Sequence, residues 1–117
     1  MAAPNIVNVS NILGRTAVQT VGTSATAIVT NSSGSNKVFK VNALYLSNVD
    51  GTTAADVTVD LFRSSVAYKI ASTIAVPADA TLDVISKSIY LEEGDSLRLT
   101  CATASDVEAV CSYEEIS

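Results

Sequence analysis

The chain has no histidine and no tryptophan, only two cysteines, two prolines and five glycines, and 5% of its 117 residues are aromatic. Each scarcity excludes something. Without histidine the commonest general base and metal ligand is missing. Few rings leave little for bases or sugars to stack on. Charge is scarce too: 16% of residues are charged, against roughly 25% in an average soluble domain. Seven basic residues, spread from Arg15 to Arg98, face twelve acidic ones, for a net charge of −5. That balance gives no cationic footprint for nucleic acid. No apolar run approaches the roughly 18 residues of a membrane span. Disorder is excluded by the mean hydropathy of +0.35, because a weakly charged, apolar chain can offset the entropy of ordering itself.

What is present points one way. The chain carries 15 Val, 8 Ile and 12 Thr, β-branched residues that suit pleated strands and disfavour helices. With 15 Ser added, the surface is made of hydroxyls and small groups more than of ions. The length is that of one domain. Apolar runs separated by turn signals predict eight to ten strands in a single antiparallel β-sandwich, jelly-roll-like, spanning residues 11–117. Residues 1–10 read as an N-terminal arm or an edge strand.

Strands are expected at 6–13 and 16–21, split at Gly14, then at 26–30, 37–47, 56–63, 67–76, 81–87, 88–91, 96–103 and 107–116. Asn31-Ser32-Ser33-Gly34-Ser35-Asn36 is a polar loop and the most flexible point expected. Ser64-Ser65 forms a tight turn, and Pro77 ends its strand because proline cannot donate to a ladder. Alternation sets the faces: Val57, Val59 and Leu61 point one way, and Asp56, Thr58 and Asp60 the other. Strand 37–47 departs from this. Phe39, Val41, Ala43 and Tyr45 form one apolar row, yet Leu44 and Leu46 on the other row are apolar as well. Such a strand is either central to a two-sided core or lies at a subunit interface.

Few residues offer chemistry. Cys101 and Cys111 are expected on adjacent strands of one hairpin. A turn centred on Asp106 brings them face to face, and one centred on Ser105 pairs Cys101 with Ala109. A disulfide is therefore allowed, although two buried reduced thiols are the preferred reading. Two cysteines without histidine cannot complete a zinc site, and a catalytic cysteine would lack its base. Glu92-Glu93-Gly94-Asp95 could ligate a cation or supply a carboxylate pair. It reads instead as a solvated hairpin turn with Gly94 at positive φ, since Ile89, Leu91, Leu97 and Leu99 flank it in one phase. No catalytic, cofactor or metal residues are expected. The start, Met1 to Asn5, has neither a positive n-region nor an apolar h-region, so a product folding in the cytoplasm where it is made is expected.

Three stretches carry a resemblance. They are Ile89-Tyr90-Leu91-Glu92-Glu93-Gly94-Asp95-Ser96-Leu97-Arg98-Leu99, Ser47 to Thr52 with Ala55 to Val59, and the ending Ser112-Tyr113-Glu114-Glu115-Ile116-Ser117. Through them the chain resembles small virion structural proteins of tailed bacteriophages, notably those of marine cyanobacteria. The resemblance implies no enzyme and no cofactor. It implies a capsid decoration protein on the head surface, or a tail, collar or fibre component. Its partners would be copies of itself, as a homotrimer or other cyclic oligomer, and the major capsid protein. A small β-sandwich module binding a glycan through loops 31–36 or 50–55 is the alternative of another class. The interface candidates are Asn5, Ile6, Val7 and Val9 of the weakly patterned arm, and Leu44 and Leu46.

Overall fold

Alternating β-branched and polar residues form nine strands in the computed structural model, which describes residues 4–5 and 8–117. They are β1 (Ile12–Thr20), β2 (Thr26–Thr30), β3 (Val38–Asn48), β4 (Ala55–Arg63), β5 (Val66–Val76), β6 (Thr81–Asp83), β7 (Ile89–Leu91), β8 (Ser96–Cys101) and β9 (Val107–Ile116). No helix occurs among the described residues. One sheet has the order β1-β9-β3-β6, with β7 also on β3; the other has the order β2-β8-β4-β5. All pairings are antiparallel. Strands pair by nesting: β1 with β9, β2 with β8, β3 with β6 and β7, β4 with β5. That is an all-β sandwich of two antiparallel sheets.

The core lies between the sheets. Val41, Leu44, Leu46, Ala109 and Cys111 come from one side, and Val57, Val59, Leu97, Leu99 and Cys101 from the other. The double-sided appearance of β3 has a local cause. Its register against β9 shifts between Val41 and Ala43, so Asn42 is an extra residue in the ladder and the side-chain phase reverses there. Phe39 and Val41 face inward before the bulge, and Leu44 and Leu46 after it. Both leucines are fully buried, which corrects their assignment to an interface. Tyr45 is the residue left facing out.

Three other expectations change. Gly14 does not split a strand: it pairs with Glu114 inside one continuous β1. The 92–95 segment and the 102–106 segment are not hairpins but crossings between sheets, because β7 and β9 belong to one sheet and β8 to the other. Cys101 and Cys111 therefore do not pair; Cys101 lies opposite Val57, and Cys111 opposite Ala17 and Leu44. Both are free and buried. Ser64-Ser65 does form the tight turn, at φ 52° and 63°, and β5 ends at Val76, before Pro77.

Candidate interaction surface

The outward face of the β1-β9-β3-β6 sheet is built by side chains whose phase is fixed by the core. Because Ala17, Cys111 and Leu44 align inward across three strands, their neighbours Val18, Val110 and Tyr45 align outward in one row. They are 74%, 39% and 44% exposed. Thr16, Ser112 and Ala43 form the next row on one side, and Thr20, Glu108 and Ser47 the next on the other. A shallow depression of about 350 Å³ lies here, lined by Val18, Gln19, Thr20, Glu108, Ala109 and Val110. Neither loop 31–36 nor loop 50–55 lines it. Gln19 donates from Nε2 to the Ala27 carbonyl at 3.0 Å, tying β1 to β2 of the other sheet. Its Oε1 is enclosed without a partner among the described residues.

The sheet edges differ sharply. β2 is five residues long and its register shifts against β8. β5 shifts twice against β4 and carries Thr73 at φ 44°. β6 and β7 have three residues each. Among the described residues only β1 pairs over nine consecutive residues without a shift. It is exposed at seven of those nine positions, including Ile12, Leu13 and Val18.

Some of the scarce charges are spent on ion pairs within the chain. All three arginines make ion pairs. Arg63, at the end of β4, donates from Nε to Asp95 at 2.8 Å and from Nη2 to Glu92 at 2.9 Å. Burial pushes the Asp95 carboxyl up, but the Arg63 bonds, the Glu92 amide and the Arg63 charge outweigh it and hold Asp95 below its ordinary range. The bond to Asp95 in turn raises Arg63 above its ordinary value, against burial. Arg98 donates from Nε to Asp60 at 2.9 Å while its guanidinium carbon lies 3.9 Å from the Phe62 ring centroid. Glu115 pairs with both Arg15 and Lys37. The Lys37 hydrogen bond lowers its carboxyl most, against burial and with help from both cations. Asp95 was expected in a solvated turn and Asp60 on the face opposite Val57 and Val59, and both are buried. The available signal was the arginine opposite: Asp60 and Arg98 are direct ladder partners.

No three His, Cys, Asp or Glu side chains cluster as metal ligands among the described residues. Burial pushes the Cys111 thiol up to about 11, a direction opposite to that of an activated nucleophile. Of the arm candidates, Asn5 is exposed and Val9 half-buried, while Ile6 and Val7 lie outside the described residues. Ser10 and Asn11 donate backbone hydrogen bonds to the Ser117 carbonyl, at 2.8 and 2.9 Å.

No protein-family model matches the sequence, and no curated protein does. Solved structures do resemble the fold. A chain of the disulfide-linked pili that form Bacillus endospore appendages superimposes with a TM-score of 0.55 at 16% identity, covering 91% of this chain and 88% of that one. A chain of the acid-stable capsid of Helicobacter pylori bacteriophage KHP30 gives a TM-score of 0.54 at 11% identity, covering 94% of this chain and 90% of that one. At these identities the likeness is one of fold.

Proposed function

We propose that this protein is a non-enzymatic structural subunit of a tailed-phage virion, of the kind marine cyanobacterial phages encode, and specifically a capsid decoration protein that cements the head shell. The observation that carries the proposal is the outward row of Val18, Val110 and Tyr45 beside a β1 edge on which no further strand pairs among the described residues. Contiguous apolar surface rimmed by polar residues marks an interaction site. Two structural neighbours drawn from assembled particles, a phage capsid and a pilus, support an assembly role. Burial on a shell would contribute about 25 cal/mol per Å² of apolar surface, repeated over symmetric copies. The subunits would form a homotrimer or other cyclic oligomer on the major capsid protein. Asn5, Ile6, Val7 and Val9 would reach onto a neighbour.

The pilus neighbour favours a second reading, a tail, collar or fibre component. A glycan-binding module is the less supported reading, because the depression is lined by strand residues and not by the loops proposed to grip a sugar. Quantitative mass spectrometry of purified particles separates these. Hundreds of copies per particle support the shell, and a few to some dozens support the tail or collar. Absence from the particle overturns the virion reading.

A further inference from the structure

We infer that β1 is a self-association edge: two copies of this chain join β1 to β1′, antiparallel about a two-fold axis perpendicular to the sheet. An open strand edge is a template for another strand, and proteins normally block such edges with bulges, short strands or charge. Here three edges are blocked. β2 is short and bulged, β5 is bulged twice, and β6 and β7 are three residues each. β1 alone is long, regular and free of proline. Its one charged residue, Arg15, is engaged by Glu115.

The same contrast names the occupant. Head-to-tail joining of copies would need a second open edge, and among the described residues β1 is the only regular one. The partner that fits is another β1, which makes the contact isologous. The sequence of the strand is self-complementary in the register that pairs all nine residues. In that register Thr16 meets Thr16′ on the axis, and Arg15 meets Ala17′, so the two arginines are not opposed. Val18, the most exposed of the large apolar residues among those described, meets Gly14′ on the outward face, where the structure leaves open space at the position of a side chain. Cross-strand pairs of a bulky residue with an open position pack without collision. The result is one continuous sheet through two copies, with the Val18, Val110 and Tyr45 rows of both on the same side. The inference narrows the proposed cyclic oligomer to a dimer but rests on edge geometry, so it stands whether or not the chain is found in a virion.

Sedimentation velocity across a concentration series tests it. The wild-type chain is expected to dimerise. Thr16→Lys, at an exposed position, sets two lysines face to face on the axis and should weaken the dimer by about tenfold or more. Mixing T16K with T16E should restore a dimer that neither variant forms alone. Val66→Lys on β5 should leave dimerisation unchanged. Thermal unfolding of each variant confirms that it is folded. A wild-type chain that stays monomeric at high concentration overturns the inference. So does a dimer indifferent to T16K, or one dissolved by V66K.

Discussion

Asn31 is wholly buried, and its side-chain amide donates to the carbonyls of Lys37 and Leu91, both at 2.9 Å. Asn48 does the same in its own loop, donating to Thr53 and Val76 at 2.9 Å. A run of Ser, Gly and Asn at 31–36 reads as flexible from composition, but one enclosed amide satisfies carbonyls that the loop would otherwise leave unpaired. Asp95 shows the same point for charge. Its folded carboxyl lies below its ordinary range, so the pair with Arg63 contributes fully above the unfolded carboxylate range and is lost as pH falls through the folded value. Glu115, also lowered, acts in the same direction. Arg63→Met should cost about 2–4 kcal/mol at neutral pH, and the gap to wild type should shrink below about pH 4. Urea midpoints across pH check this; a gap that widens in acid contradicts it. The Ser64-Ser65 turn needs positive φ twice, the geometry in which Asn-Gly is preferred. Replacing the pair by Asn-Gly should stabilise the fold by about 1 kcal/mol, read as a higher denaturant midpoint.

At the scale of the element, period-two alternation was enough for β4, whose Val57 and Val59 are core residues as their phase implies. It was not enough for β3. A bulge is set by the partner strand's register, and nothing within residues 37–47 announces the extra Asn42. Leu44 and Tyr45 therefore exchange the roles that simple alternation gives them. Leu44→Ala should destabilise by about 3 kcal/mol or more, as a fully buried leucine does. Tyr45→Ser should cost less than about 1 kcal/mol and act on assembly instead. Chemical denaturation of the two variants separates these outcomes; equal losses would contradict the assigned phase. Crossing loops posed a related problem. Gly94 takes the positive φ its turn position implied, at 92°, but the same turn chemistry serves a hairpin and a passage between sheets. Which it is depends on long-range pairing, and the adjacency of Cys101 and Cys111 expected from a hairpin fell with it, while their preferred reading as two buried free thiols stands.

For the whole molecule, low charge has a double meaning. The three arginines are consumed in holding β4, β8 and β1 to their surroundings, and the outward rows around Val18, Val110 and Tyr45 carry mostly Thr, Ser and apolar side chains, with Glu108 among them. Fold class, strand number and the absence of long helices were legible from residue type and alternation. The candidate surface was not, because it depends on which edge escapes bulging and which residues three strands align. That surface is the central claim: the β1 edge and the Val18, Val110 and Tyr45 row are proposed to hold an assembly together. Hydrogen exchange read by mass spectrometry, comparing the dilute free chain with the same chain in its particle, tests it most directly. The account predicts that β1 amides exchange markedly more slowly in the particle while β5 amides change little. Equal β1 exchange in both states, with protection appearing on β5 instead, would contradict it.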